Sequence, residues 1–488
     1  MNFSTLSSSM YNTGVGFAGI AGAWWLPATQ PFRLSVVSQQ KLNAIGNAIF
    51  TLLDVVGDLY DTPAGDACGL THLLSHKVPA HLLRYTDRSP VYSLRPDFQI
   101  VHAHTSEPLA SAYGPAPVPL TDVRGSDGTL PLTCHSPLAT FSATELEICP
   151  SAQGYAHAMQ VGYELNTDLA DGFARFLNGR TLWFVGSEQW SEFLFEQLAF
   201  CRALRERGAD GRVLYDLPVS RLAASIRRGE RWQPPIFGVK TKLPSWNDDL
   251  FERVERAGLQ PYLYMGEEWP GSLTHAVVFR FGYLECFSTH HLAIMQQWQV
   301  QGTTFLNPLS FLYESKVVMA ALHLPEVRRQ IAERNPQALL WLNQAIPETN
   351  LLTPDLLPQL VSERAHWILK FAGFDAGNQA WGGRSLQIGA QLTAAEWQDQ
   401  LQRYLDLPFP IVAQRLTPSQ LVDIDFYDSS GNLQQMHQGT TRLRTFFLRD
   451  RNGASAALGS HLTVSGGKLQ VSEATDAVQA PIIFGGGN

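Results

Sequence analysis

Apolar residues recur at helical spacing early in the chain, between residues 33 and 60. An amphipathic α-helix buries such a stripe against a core, because positions three and four apart share one face. The stripe consists of Leu42, Ile45, Ile49, Leu52, Leu53, Val56 and Leu59. We therefore predict a scaffold helix in this region.

The stretch from Val91 to Val101 is a predicted β-strand that carries two opposite charges. Arg95 and Asp97 lie two residues apart within it. Side chains at this spacing point to the same face of a strand. We expect the two groups to share one site.

A second predicted strand, residues 141–149, alternates two carboxylates with aliphatic residues. Glu145 and Glu147 share one face, and Leu146 and Ile148 share the other. Two carboxylates, together with Asp97 from the other strand, form a plausible Mg²⁺ site, because Mg²⁺ binds few carboxylates plus substrate phosphates. The other interpretation is that the two glutamates form the solvated face of an ordinary strand.

Residues 180–300 alternate short apolar runs with a helical stretch. Strands are predicted at 182–186, 236–240 and 275–281, and a helix at 188–207. This alternation favours an α/β unit with an open sheet. No GxGxxG follows its first strand, so the pattern does not indicate a dinucleotide site.

Two lysines stand where they could bind phosphate. Lys370 ends the apolar strand His366–Lys370 and precedes a glycine-rich segment, and Lys316 lies near the start of a predicted helix after Asn307-Pro308. Glycine lets main-chain N–H groups approach an anion, and a lysine adds a compact charge. The alternative for each lysine is an ordinary solvated side chain.

The last third of the chain adds further strands. Residues 410–416 form a short apolar strand, and residues 421–448 are predicted to form a long hairpin. The second hairpin strand carries Arg442 and Arg444 on one face. Residues 105–138, rich in Pro, Gly, Ser and Thr, predict a surface loop or lid.

Composition limits the possible functions. The chain has 488 residues, enough for two or three domains, and its 45% hydrophobic and 16% charged content is that of a globular protein. Its net charge of −8, without a basic block, argues against a nucleic-acid partner. Five cysteines without a CxxC pair predict reduced thiols and a cytoplasmic location, and residues 14–27 are too short to span a membrane.

The order of these features resembles the circularly permuted ATP-grasp ligases, a group that includes the synthetase domain of glutathionylspermidine synthase. In that group the acidic metal-binding strands precede the two ATP-binding lysines in the chain. The resemblance implies a mixed α+β and α/β chain with a circularly permuted ATP-grasp-like fold and an inserted open-sheet domain. It divides the chain into residues 1–170 with the metal-binding strands, 171–300 for substrate binding and 301–488 with the ATP-binding lobe.

The resemblance also implies roles for individual residues. Asp97, Glu145 and Glu147 match the Mg²⁺ ligands; a register shifted by two would instead lay Glu147 and Cys149 over the Glu-x-Asn pattern of the family. Arg95 matches the arginine that contacts the transferred phosphate. The ATP phosphates would be bound by Lys316, Lys370 and the loop 377–385, which contains Gly382 and Gly383. Adenine would be bound by the backbone of Gln414 to Leu416. Arg442 and Arg444 are predicted catalytic residues from their charge and shared face alone.

The function implied is an ATP- and Mg²⁺-dependent ligase that joins a small carboxylic acid to an amine through an acyl phosphate. The same phosphate-binding residues would also serve a small-molecule kinase. The loop departs from the tighter Gly-Gly pattern of the family, and a long insert separates Asp97 from Glu145, which leaves open an inactive nucleotide-binding protein. No membrane partner is expected, and the sequence leaves both substrates and the oligomeric state open.

Overall fold

The computed structural model of the protein describes residues 2–13, 15, 26–101, 140–166, 169–187, 193–215, 254–266, 268–375, 385–467 and 477–485. Within these ranges the α-helices are α1 (Phe3–Asn12), α2 (Val36–Leu59), α3 (Pro63–Ala67), α4 (Leu70–Ser75), α5 (Gln153–Gly162), α6 (Leu169–Leu177), α7 (Leu194–Arg205), α8 (Thr289–Val300), α9 (Pro325–Arg334), α10 (Pro336–Ala345), α11 (Leu357–Ser362) and α12 (Ala394–Leu405). Short 3₁₀ helices cover Gln260–Tyr262, Leu284–Cys286, Phe311–Tyr313, Lys316–His323, Pro354–Leu356, Arg364–His366 and Gly389–Gln391.

The strands of the described residues form three sheets. In chain order they are β1 (Leu26–Pro27), β2 (Phe32–Leu34), β3 (Ser93–Val101), β4 (Thr140–Glu147), β5 (Thr181–Gly186), β6 (Asp210–Tyr215), β7 (Ala276–Phe281), β8 (Thr304–Phe305), β9 (Thr349–Leu351), β10 (Trp367–Phe371), β11 (Gln387–Ile388), β12 (Ile411–Arg415), β13 (Leu421–Tyr427), β14 (Leu433–Arg449), β15 (Ser455–Gly466) and β16 (Val478–Phe484). The chain is therefore of mixed α/β class, as predicted.

The predicted scaffold helix is α2, and it belongs to the main core. Its N-cap is Ser35, whose side chain accepts a hydrogen bond from the N–H of Ser38 at 3.1 Å. The apolar stripe of α2 is buried, and the helix packs against α9, α10 and β15. By length and composition α2 could cross a membrane, yet 67% of its apolar window is buried inside the protein, as in a core helix.

The large sheet contains eight strands, and β14 lies near its centre. The main order is β1-β16-β15-β14-β3-β4, with β13 also paired to β14 and β2 to β16. β14 pairs antiparallel with β13, β15 and β3, whereas β1 and β2 pair in parallel with β16. The sheet therefore joins strands from both ends of the chain, and the predicted hairpin 421–448 is confirmed as β13 and β14.

The second sheet has four parallel strands in the order β6-β5-β7-β8. It confirms the predicted strands at 182–186 and 275–281, and α7 confirms the predicted helix from residue 194 onward. The strand predicted at 236–240 and the loop predicted at 105–138 lie outside the described residues.

The third sheet is antiparallel, in the order β11-β10-β12-β9, and has a core of its own. That core includes Trp367, Trp397 and Leu401, which connect the sheet to α12. The stretch after Asn307-Pro308 differs from the prediction in type, because Lys316–His323 is a 3₁₀ helix. The ATP-grasp fold, the circular permutation, the inserted domain and the boundaries 1–170, 171–300 and 301–488 stay predictions.

Candidate functional site

Asp97 on β3 lies at the centre of a cluster of three arginines. Its Oδ1 lies 3.3 Å from Arg444 Nε and 3.5 Å from Arg95 Nε, and its Oδ2 lies 3.2 Å from Arg442 Nη1. The sheet builds this contact, because Arg444 on β14 is paired directly with Asp97. Burial raises the pKa of Asp97, but the guanidinium groups of Arg444, Arg95 and Arg442 more than offset it and hold the pKa well below its usual value.

Glu145 connects this cluster to the first lysine. On β4 it is the strand partner of Asp97, and its Oε1 lies 3.1 Å from Lys316 Nζ. The lysine is held in place by its own backbone, since its N–H donates to Ala372 O at 2.9 Å. Burial raises the pKa of Glu145, while Lys316 and Lys370 together bring it below its ordinary value.

Lys370 connects the antiparallel sheet to the large sheet. From β10, its Nζ donates to the main-chain oxygen of Thr144 on β4 at 3.0 Å and to Oε1 of Gln414 on β12 at 2.7 Å. Only 5% of Lys370 is exposed. Burial, with the nearby Lys316 and Arg442, lowers its pKa to about 8 against the opposing effect of Glu145. The junction of the two sheets is thus a single charged site.

Gln414 holds Lys370 through its side chain, and its amide also donates from Nε2 to Thr349 Oγ1 at 2.9 Å. The main-chain N–H of Leu416 donates to His366 O at 2.8 Å. Because this N–H is already engaged, an adenine at this strand end would be hydrogen-bonded by other groups. The predicted adenine contact of Gln414 and Leu416 stays a prediction.

Glu147 lies where the parallel sheet meets the large sheet. It is the strand partner of Arg95 and accepts a hydrogen bond from the hydroxyl of Tyr283, which follows the carboxyl end of β7. Burial raises the pKa of Glu147 to about 7, although Arg95 and the bond from Tyr283 oppose the rise. Sequence reasoning missed Tyr283; its position after a parallel strand is a useful signal, because ligands bind at that edge of such sheets.

A buried ion pair fixes the segment before Lys316. Arg280 and Glu314 form the pair with both side chains almost fully buried, and Glu314 also accepts from the N–H of Leu284 at 2.9 Å. Arg280 donates from Nη2 to Pro308 O at 3.0 Å. Sequence reasoning missed this pair too. The signal was available, because a charge inside the apolar run of β7 must find a partner when it is buried.

The predicted Mg²⁺ ligands fit a metal only in part. Among the described residues, no group of three or more His, Cys, Asp or Glu side chains is arranged to hold a metal ion. Both oxygens of Asp97 already face guanidinium groups, whereas Glu145 and Glu147 share one face and are half-buried. Two carboxylates suffice for Mg²⁺ when phosphates complete its shell. The metal role of all three residues stays a prediction.

The structure thus gathers most of the predicted site residues. Arg95, Asp97, Glu145 and Glu147 come from the first third of the chain, and Lys316, Lys370, Gln414, Arg442 and Arg444 from the last two fifths. Gly382 and Gly383 lie outside the described residues, and their predicted role is untested. Leu416 lies at the end of the sheet that carries Lys370.

Cys149 is a poor alternative nucleophile. The thiol is buried beside Asn307, whose Nδ2 lies 3.1 Å from Sγ. Burial raises its pKa to about 12, against the effect of Arg280. A thiol with such a pKa is protonated at neutral pH and reacts slowly as a nucleophile.

Comparison with known proteins adds little to this geometry. No family model matches the chain, and no curated protein sequence matches it. Among solved structures, one match is carboxyaminoimidazole ribonucleotide synthase from Aspergillus clavatus complexed with ATP. The two sequences are 10% identical. The matched region covers 63% of this chain and 71% of the synthase chain, with a TM-score of 0.23.

Proposed function

We propose that the protein is an ATP-dependent carboxylate–amine ligase. The observation that supports this most is a concentration of buried positive charge where the large and antiparallel sheets meet. The guanidinium groups of Arg95, Arg442 and Arg444 surround the single carboxylate of Asp97, and Lys316 and Lys370 lie near Glu145. Burying several cations together is costly, so such a cluster favours binding of a polyanion, and the triphosphate of ATP is one.

The chemistry follows from what a carboxylate lacks. A free carboxylate is too stable to react with an amine, so its oxygen would first take the γ-phosphoryl group of ATP, giving ADP and an acyl phosphate. The amine nitrogen would then attack the acyl carbon, and the tetrahedral intermediate would expel phosphate to form the amide, with loss of a proton from nitrogen. Phosphoryl transfer needs mainly positioning and positive charge.

The residues of the cluster divide this work. Lys316 and Lys370 would bind the β- and γ-phosphates, taking them in place of the acceptors that they contact in the free protein. Arg95, Arg442 and Arg444 would hold the transferred phosphoryl group and the acid that receives it. Asp97 would keep these arginines in place, because it contacts all three.

Other proposed roles complete the site. Glu145 and Glu147 would hold the Mg²⁺ that neutralises phosphate charge, and Gln414 would orient Lys370. Main-chain groups as far as Leu416 would border the adenine, and the loop with Gly382 and Gly383 would cover the phosphates. The partners would be small molecules, one acid and one amine.

Release of ADP from ATP, with hydroxylamine as the amine, tests the proposal directly. Hydroxylamine captures acyl phosphates as hydroxamates, so it reports activation of an acid before the natural amine is known. With Mg²⁺ and a pool of amino acids and other small carboxylic acids, we expect ADP and hydroxamate in equal amounts. ADP without any hydroxamate would instead favour a small-molecule kinase.

Lys370→Ala should lower that rate by about 100- to 1000-fold, because it removes one charge donor from a closed site. The matched control is Lys77→Ala, since Lys77 Nζ also donates to main-chain oxygens, those of Leu405 at 2.9 Å and Leu407 at 2.6 Å, away from the cluster. The control should keep its activity. Robust turnover by Lys370→Ala would contradict the assignment.

A further inference from the structure

A row of buried amide groups lies next to the arginine cluster, and each amide uses only one of its two ends. Gln479 on β16 accepts from Thr463 Oγ1 at 3.0 Å through Oε1, while its Nε2 has no partner. Gln197 accepts from Tyr215 at 3.1 Å through Oε1, while its Nε2 has none. Gln153 donates from Nε2 to Pro150 O at 2.8 Å, while its Oε1 has none. All three side chains are 1% exposed.

These groups lie on neighbouring elements, because α5, which begins at Gln153, packs against α7, β15 and β16, which carry Gln197, His461 and Gln479. Gln153 is the first residue of α5, and the ring of Tyr155 on the same turn lies 6.5 Å from that of His461 on β15. His461 is the strand partner of Arg444 and is buried with Nδ1 unpartnered. Gln197 is next to Glu196, which accepts from the N–H groups of residues 154 and 155.

Hydrogen bonds connect this row to the charged cluster. Arg444, which contacts Asp97, also donates from Nη1 to Thr463 Oγ1 at 3.2 Å, and Thr463 contacts Gln479. On the other side, Arg95 donates from Nη1 to Ser151 O at 2.8 Å, two residues before Gln153. A molecule with its carboxylate at the arginines could therefore extend along this row.

The concentration of unpartnered groups requires an explanation. A buried polar atom without a partner costs about 1–3 kcal/mol, so folded proteins tolerate few of them. The unpartnered atoms here are two N–H donors, one carbonyl acceptor and one imidazole nitrogen. Burial, with Arg444 and Arg95, holds the pKa of His461 well below its usual value, so the imidazole is uncharged at neutral pH. The row is thus neutral and offers both donors and an acceptor.

We propose that this row, Gln153, Gln197, His461 and Gln479, binds an amide group of the acid substrate. An amide offers one carbonyl to the free N–H groups of Gln197 and Gln479 and one N–H to the free carbonyl of Gln153. A carboxylate or an ammonium at the same place would satisfy only one type of partner and would have to be buried with its charge. The inference rests on the proposed ligase function and names the class of its acid: one that carries a carboxamide or a peptide bond.

Two matched pairs of acids test the preference. Glutaramate and glutarate differ only in an amide against a second carboxylate, and dialanine has one alanyl residue more than alanine, joined through a peptide bond. In the hydroxylamine reaction we expect kcat/KM about tenfold or more higher for the amide-bearing member of at least one pair, since 1.4 kcal/mol is tenfold. The pair that responds also tells whether a side-chain carboxamide or a peptide bond is the group bound. Equal values within both pairs would overturn the proposal.

Gln479→Leu should remove the preference, because leucine keeps the volume and loses the donor. Gln160→Leu is the matched control: Gln160 is also a buried glutamine with an unpartnered Oε1, but it lies two turns further along α5. We expect KM for the amide-bearing acid to rise about tenfold in Gln479→Leu and to stay unchanged in Gln160→Leu, with KM for ATP unchanged in both. A preference that survives Gln479→Leu would count against the row.

Binding without catalysis separates this inference from the ligase itself. If no acid yields ADP, the ligase function fails, but the row can still be examined by thermal unfolding in the presence of glutaramate or dialanine. We expect one of these probes to raise Tm of the unaltered protein and of Gln160→Leu, and not of Gln479→Leu. Absence of any shift in the unaltered protein would overturn the amide site.

Discussion

At Asp97 the protein supplies, from its own chain, an anion for three guanidinium groups. The carboxylate is 3% exposed and contacts Arg95, Arg442 and Arg444. Asp97 carries one negative charge against these three positive charges, so we expect an added anion such as phosphate to stabilise the cluster further. This balance can be altered with a single substitution.

Asp97→Asn should lower the free energy of unfolding by about 3–5 kcal/mol, because it leaves three buried cations without their shared carboxylate. Urea unfolding measures the loss. Pyrophosphate should restore part of it if the cluster binds phosphate, since a ligand that binds only the folded state stabilises it. A variant as stable as the parent, with no response to pyrophosphate, would contradict the role given to Asp97.

Lys370 makes both stability and ATP binding depend on pH, in opposite directions. Its pKa in the folded protein is lowered to about 8, whereas in the unfolded chain it is about 10.4. Between these values the unfolded chain binds more protons, so this group makes the free energy of unfolding rise with pH. ATP binding needs the ammonium form, so KM for ATP should rise about tenfold per unit above pH 8.

Lys370→Arg provides the comparison for that pH dependence. A guanidinium stays charged over the whole range, so the variant should show a flat KM for ATP even if its absolute value is higher. The measurement is KM for ATP from about pH 7 to 9.5. A rise of equal slope in the variant would show that another group titrates.

At the scale of one residue, the sequence predicts which side chains two positions apart share a face, and it predicts few contacts between residues further apart. Arg95 with Asp97, and Arg442 with Arg444, share a face because strand periodicity is local. The contact of Arg442 with Asp97 joins residues 345 positions apart. Rules based on residue spacing cannot predict a contact between residues so far apart in the chain, and the charges of the two residues could only suggest it. Tyr283 and the Arg280–Glu314 pair were missed although their places after and within β7 gave a signal.

At the scale of an element, helix α5 depends on a residue from another helix. No side chain of its own caps its N-terminus. Instead, Glu196 of α7 accepts from the N–H groups of Ala152, Gly154 and Tyr155 at 2.8, 2.6 and 3.2 Å. Ala152 has a positive φ of 75°, and a Cβ on Gly154 would lie 1.9 Å from the main-chain oxygen of Glu196. The two helices therefore meet without spare room.

Glu196→Ala should destabilise the protein by at least about 2 kcal/mol, since it leaves buried N–H groups without an acceptor. Glu196→Gln keeps one oxygen acceptor and should lose less. Urea unfolding of the two variants gives the comparison. Equal stability of Glu196→Ala and the parent would mean that water caps the helix instead.

Element types were predicted best where the periodicity is long. Helix α2 was predicted correctly, because burial of one face fixes its apolar stripe, and β3, β4 and β14 were correctly predicted to be strands. Lys316–His323 was predicted as an ordinary helix and is a 3₁₀ helix. Its eight residues are too few for apolar periodicity to separate the two kinds of turn. The pairing of the strands could not be predicted from the sequence, because β3 pairs with β14, which lies more than 300 residues later in the chain.

At the scale of the whole molecule, the two ends of the chain complete the same sheet. β16 pairs with β1, β2 and β15, although it begins at Val478 and contains none of the residues proposed to bind ATP or Mg²⁺. The large sheet that carries Asp97 and Glu145 therefore depends on the last strand of the described chain.

Deletion of residues 477–488 should unfold the large sheet and abolish ATP binding. The reason is that β15, β1 and β2 lose their common partner, and their buried faces become exposed. Circular dichroism and ATP-dependent change in Tm measure the two effects. Deletion of residues 486–488 alone is the control and should leave both unchanged. A folded, ATP-binding protein after the longer deletion would contradict the account.

The buried position of α2 has a consequence for biosynthesis. The helix is finished at residue 59, but α10 and β15, which cover it, begin at residues 336 and 455. At about 5–20 residues per second, a ribosome needs tens of seconds to make that distance. Throughout that time the apolar stripe of α2 lacks these two partners, so the nascent chain carries an apolar surface that is prone to aggregate.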